Sequence, residues 1–137
     1  MKLNLPKIVR PVSLTDFAPE LTHDDGTPAA VQVWINPPTA RMTRHGELSA
    51  QATAALARLR AADGDKAGAV EELQRIGEEF ATLFAELWSQ HADPTTHWTA
   101  EEVTALANSE ANPALYRWLT ARTIANIREY RSGLQKK

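Results

Sequence analysis

The sequence predicts a mainly α protein, a small helical bundle with an N-terminal β-hairpin. Three observations lead there. The chain is 137 residues long, the size of one domain rather than two. Six of its eight prolines fall within residues 1–38, where they remove backbone donors and fix φ, so long helices are disfavoured in that stretch. Beyond residue 47 the apolar spacing changes from two to 3.6, as expected of helices with a buried face. The expected layout is a hairpin and extended part over 1–45, a helical body over 46–132 and a flexible tail over 133–137.

The strand is the clearest early element. Val31, Val33 and Ile35 alternate with Gln32, Trp34 and Asn36, and Pro37-Pro38 ends the run. Residues 8–14 supply its partner, and His23-Asp24-Asp25-Gly26-Thr27 reads as the turn between them, with Gly26 free to take positive φ. A lone hairpin is marginal in water, so this one has to pack on helices or on another chain. Trp34 lies out of phase with the valines and projects from the other face. It either packs on the helices or is left for a partner.

The first helix is expected from about residue 47, with Leu48, Ala52, Ala55, Leu56 and Leu59 on one face. Asp63-Gly64-Asp65 breaks it. A second runs over 66–89. Its apolar residues, from Val70 through Ile76, Phe80 and Phe84 to Leu87 and Trp88, cover an arc of about 140°, wider than a one-sided surface helix needs. It is therefore read as the central helix, with neighbours on two sides. Gly77 lies within the arc and would admit a close helix. Glu72, Glu79 and Glu86, spaced by seven, edge it. His91-Ala92-Asp93-Pro94 ends the helix. Thr99-Ala100-Glu101-Glu102 is a capping box opening a short helix to about Asn108, with Trp98 and Val103 placed as a hydrophobic staple. Asn112-Pro113 opens the last helix, Asn at N-cap and Pro at N1. Leu115, Tyr116, Leu119, Thr123, Ile127 and Tyr130 stripe it, and Ser132-Gly133 ends it.

Composition excludes several classes. Apolar residues make up 43% and charged residues 23%, a globular mixture rather than a disordered one. There is no cysteine, hence no disulfide, thiolate metal site or Cys nucleophile. No apolar run approaches the 18 residues of a spanning helix, and Met1-Lys2-Leu3-Asn4-Leu5-Pro6-Lys7 lacks the apolar core of a signal peptide. The net charge is only −2, so no bulk field draws nucleic acid or anionic membrane. The charges are nevertheless segregated. Residues 1–62 hold seven bases and five acids, residues 63–112 two and eleven, and residues 113–137 six and one. Balances of +2, −9 and +5 suggest that the acidic and basic parts meet within the chain or between copies.

No reactive constellation emerges, and the expectation is a protein without catalytic activity. There is no Gly-x-Ser-x-Gly and no phosphate-binding glycine loop. His91, Asp93 and His97 cluster in sequence, but they flank a helix end and a proline and present no i, i+4 pair. They are read as polar loop residues, with neither metal nor cofactor expected. Adjacent pairs such as Glu71-Glu72 and Glu78-Glu79 point about 100° apart on a helix and share no proton site. The arginines of the last helix would favour nucleic acid if they formed one stripe, but they scatter round it.

One combination goes further. Val12-Ser13-Leu14-Thr15-Asp16-Phe17 precedes Val31-Gln32-Val33-Trp34-Ile35-Asn36-Pro37-Pro38. A helical body with Trp88 and Trp98-Thr99-Ala100-Glu101-Glu102-Val103 follows. Asn112-Pro113-Ala114-Leu115-Tyr116-Arg117-Trp118-Leu119 then leads into a basic helix. The ensemble, over most of the chain, resembles the small tail assembly chaperones of long-tailed bacteriophages. That resemblance implies a mainly helical protein of the host cytoplasm that needs no cofactor. Its implied partners are the tape-measure protein, which it keeps soluble, and the tail-tube protein, whose subunits it helps recruit. Self-association is expected from the segregated charges and the open hairpin edges. Trp34 and the basic end of the last helix, Arg128, Tyr130 and Arg131, are the candidate contact residues. Two alternatives share this composition: a virion structural protein such as a head–tail connector or tail component, and a small nucleic-acid-binding regulator.

Overall fold

A computed structural model describes residues 6–61, 63–90 and 93–135. Residues 1–5 of the stretch read as lacking a signal peptide, His91 of the histidine cluster and Lys136-Lys137 of the tail lie outside them. The chain is mainly α, with more than half of its residues in four helices beside a small antiparallel sheet. Strands β1 (Val9–Ser13) and β2 (Ala30–Trp34) pair with Val9 opposite Trp34 and Val12 opposite Val31. The connection between them is long. It includes a 3-10 turn over Leu14–Asp16 and the predicted reversal at 23–27, where His23 N donates to Thr27 O at 2.9 Å. Gly26 there has φ of 85°, a conformation that L side chains rarely adopt.

A third strand, β3 (Trp88–Ser89), pairs with β2 at Gln32 and Val33. This corrects the expectation of a helix running through residue 89. Two residues are too few for a period, and it is their partner strand that makes them extended. Trp98 N donates back to Trp88 O at 3.0 Å, closing the loop beyond the strand.

Helix α1 spans Thr39–Arg60. It begins eight residues before the expected start at 47, directly after Pro38, which holds the N-cap position without a side-chain cap. The segment 39–46 holds one large aliphatic residue, Met42, so no apolar period announces it. Polar reach holds it instead: Arg41 pairs with Glu86, and Arg44 Nη2 donates to Glu79 at 2.7 Å. The predicted break at Asp63-Gly64-Asp65 lies between the two long helices. A side chain at Gly64 would place its Cβ 2.3 Å from Arg58 O, so the tight return needs glycine. Asp65 then caps α2 (Lys66–Leu87), accepting from Gly68 N at 3.0 Å.

The two long helices run antiparallel, and at about 1.5 Å per residue each is roughly 33 Å long. Only the C-terminal part of α2, from Phe80 onward, joins the main core with the sheet, α3 (Ala100–Ala107) and α4 (Leu115–Gln135). Trp88, Leu87, Val33, Val103, Leu119 and Ile127 are each 0% exposed there. Trp88 Nε1 donates to Thr123 Oγ1 at 3.0 Å, and that hydroxyl donates to Leu119 O at 2.8 Å, so the buried polar group is satisfied. The capping box of α3 is present: Glu102 N donates to Thr99 Oγ1, and Thr99 N to Glu102 Oε1, both at 3.1 Å.

Three further expectations are corrected. Helix α4 starts at Leu115, with Pro113 and Ala114 in a turn before it, and runs through Gly133 to Gln135 rather than stopping at Ser132-Gly133. Glycine only lowers helix propensity, and here it sits exposed in the last turn with nothing that would end the ladder. No neighbour lies beside Gly77; the space there is open. Val70 is 52% exposed and Leu56 39%, so the neighbours expected on two sides of α2 exist only along its C-terminal part.

Candidate interaction surfaces

The alternation along β2 decides the setting of Trp34. Val31 and Val33 go into the core, and Trp34 lies on the opposite sheet face, half-buried beneath two cations. Lys7 Nζ lies 4.7 Å from its ring centroid and the Arg41 guanidinium 5.6 Å, within cation–π range. Burial, helped by the Arg41 charge, lowers the pKa of the Lys7 ammonium. The indole Nε1 is buried with no hydrogen-bond partner among the described residues. Helix α1 rises from this corner, and a groove of about 730 Å³ follows, with Pro38 at one end and Leu48 and Leu83 within it.

The other candidates lie elsewhere. Arg10 stands opposite Val33 in the β1–β2 register, hence on the core face, and stacks over Tyr130 at 5.7 Å. Arg10, Pro11, Tyr130 and the 53% exposed Leu134 line a cleft of about 500 Å³. Arg131 Nη2 donates to Pro37 O at 2.9 Å and so pins the end of α4 to the start of α1. The ring of His45 meets Phe80 and Phe84 edge-on at 5.6 and 5.9 Å, and the charge of Arg128 reaches it. Burial first, and the Arg128 charge second, lower the pKa of His45. Trp34 and Tyr130 therefore sit on opposite faces of the sheet and do not form one surface.

The charge pattern also resolves differently from the simplest expectation. The acidic stretch is met by α1, not by α4. Glu72, Glu79 and Glu86 take Arg58, Arg44 and Arg41, and Arg75 adds a second partner to Glu79 at 2.6 Å. Among the described residues no ion pair joins α4 to the acidic segment. Arg122 instead lies over Trp118, 5.4 Å from its centroid. In the loop after β3, Asp93 accepts from the Thr95 and Thr96 hydroxyls at 2.6 Å, which lowers its pKa. His97 Nε2 is 3.4 Å from Lys7 Nζ. The described residues contain no group of three metal-ligating side chains and no helix long and apolar enough to cross a membrane.

One surface escaped the sequence reading. The distal half of the α1–α2 pair projects past the sheet and the shorter helices as an arm. Its inner seam is closed by Leu48, Ala55, Ala69 and Ile76, all 2% exposed or less. Leu56 and Val70, placed by periodicity on buried faces, remain open on one side of it. The signal was the width of the apolar arc on α2, which exceeds what α1 alone covers. No known protein family, curated protein or solved structure matches the chain.

Proposed function

We propose that this protein is a tail assembly chaperone of a long-tailed bacteriophage. In this reading it binds apolar helical stretches of a tape-measure protein, keeps that protein soluble in the host cytoplasm and helps recruit tail-tube subunits. The residue pattern that resembles this family supports the assignment. The observation that carries it is the arm, two long helices whose distal half leaves Leu56 and Val70 uncovered. A long amphipathic chain made before its tube exists exposes apolar stripes that associate unless covered. An open helix-pair side is a suitable cover, because a third amphipathic helix can lay its apolar face against it. The area involved is small, so each contact is weak, and many copies on one long chain supply avidity. Weak contacts also allow displacement when tube subunits arrive. Trp34 and the Tyr130 cleft are secondary contact candidates on the two sheet faces.

The test is co-expression with the tape-measure protein of a long-tailed bacteriophage whose genome encodes this chain, followed by pull-down and a solubility assay. A soluble complex is expected. If the long protein is equally soluble alone and no complex is recovered, the reading fails. Presence of the protein in purified particles would favour a virion structural component instead, and a salt-sensitive gel shift a nucleic-acid regulator.

A further inference from the structure

We infer that the open side of the arm selects an amphipathic helix flanked by carboxylates. This rests on the chaperone reading and adds the charge class of the partner. Around the seam residues Leu48 and Ile76, at about 100° per residue, each helix has two sides. Three contacts fix which sides coincide: Arg44 with Glu79, Gln51 with Arg75 and Arg58 with Glu72. One side of the arm is therefore charged and internally paired. The other carries Leu56, Leu59, Val70 and Leu73, and passes the open space beside Gly77, where a partner helix meets no side chain.

The two sides differ completely in acids. Every glutamate of α1 and α2 projects toward the charged side or the back of the arm. The apolar side is rimmed near its tip by Arg60 and Lys66, both exposed and without an ion pair among the described residues. Two unmatched cations beside an apolar stripe complement a partner that brings leucine-like residues in the middle and Asp or Glu at the edges. A second copy suits this side poorly. In a two-fold pairing each copy would bring the same cations and no helix carboxylate to meet them.

Two peptides test this against the full-length chain. Both are 21-residue helices with leucines at i, i+3, i+4 and i+7; one has glutamate at the flanking positions and the other lysine. Fluorescence anisotropy at low salt is expected to give at least about tenfold tighter binding for the glutamate peptide, a gap that narrows as salt rises. The R60E/K66E double variant should reverse the order. Val70→Glu should remove binding of both peptides while leaving the circular dichroism spectrum unchanged, since residue 70 is already half exposed. Equal affinity for the two peptides, or an unchanged order in R60E/K66E, overturns the charge assignment and leaves the co-expression result standing. Binding of neither peptide, with a complex still recovered in co-expression, shows that the partner docks elsewhere and overturns it too. A wild-type dimer that Val70→Glu converts to monomer would assign this side to a second copy instead.

Discussion

The base of the molecule and its projecting arm share two helices but are held by different chemistry. In the base, large side chains interlock. The rings of Phe80, Phe84, Trp88 and Trp98 follow one another at centroid distances of 5.1 to 6.4 Å, and the sheet, α3 and α4 close round them. In the arm the seam includes the small residues Ala55 and Ala69, and the flank is sealed by partly exposed arginine–glutamate pairs. Alanine buries little apolar area, and exposed ion pairs add little stability. Stability is therefore concentrated in the base, and the arm leaves Leu56 and Val70 open on one side.

The largest expected effect exploits that contrast. Leu87→Ala in the base should cost about 2–5 kcal/mol, through lost burial and the cavity left behind. Leu56→Ala in the arm removes the same atoms from a 39% exposed site and should stay within about 0.5 kcal/mol. Urea melts of the two variants check this; similar midpoints would mean that arm and base are one packed unit. Next comes Thr123→Val. Valine keeps the shape but leaves the Trp88 indole N–H buried with no acceptor, which should cost about 1–3 kcal/mol. A midpoint equal to wild type would show that this hydrogen bond adds nothing. Thr99→Ala removes the α3 cap and should cost about 1 kcal/mol in the same assay.

The same contrast explains what could be read in the sequence. Elements with a period of their own were legible: the alternation at 31–36, the helix over 66–87, the capping box at Thr99. So was the break at Asp63-Gly64-Asp65, where Gly64 avoids a clash with Arg58 O and Asp65 caps the next helix. Elements made by a distant partner were not. Trp88-Ser89 is a strand only because β2 lies beside it. The first two turns of α1 hold because Arg41, Arg44 and His45 reach α2. The reading of Leu56 and Val70 failed for the opposite reason. Periodicity identifies an apolar face but not whether anything covers it, and coverage depends on where the third layer stops. The candidate contacts were scattered likewise, since strand parity placed Trp34 on one face but nothing local placed Tyr130 on the other.

His45 sits where the arm meets the base, and its titration gives a pH test. Its folded pKa is below the unfolded value near 6.5. As pH falls through that unfolded value, the unfolded chain takes up a proton that the folded one resists, so stability drops on the acid side. Urea midpoints between pH 7.5 and 5 should fall less steeply in His45→Gln than in wild type. Superimposable profiles would mean that the imidazole is as well solvated in the folded protein as in the unfolded one.

The smallest expected effect concerns the charged flank. Glu79 accepts from both Arg44 and Arg75, so it is the residue through which most of the arm's ion pairs connect. Its pKa is lowered, first by the Arg44 hydrogen bond and then by the nearby charges. The pair is more than a third exposed to solvent, so Glu79→Gln should leave the global urea midpoint where it is. What changes is local. The arm has few large buried side chains between residues 48 and 76, and its opening does not require the base to unfold. Backbone amides over 50–59 and 67–75 should therefore exchange faster in Glu79→Gln, while those of β2 and the C-terminal turn of α2 keep the wild-type rate. Salt near 1 M should accelerate the same arm amides in the wild-type protein, because it screens the same pairs. If exchange instead rises evenly across both regions, arm and base open together, and the arm is not the separately loosened element that partner binding calls for.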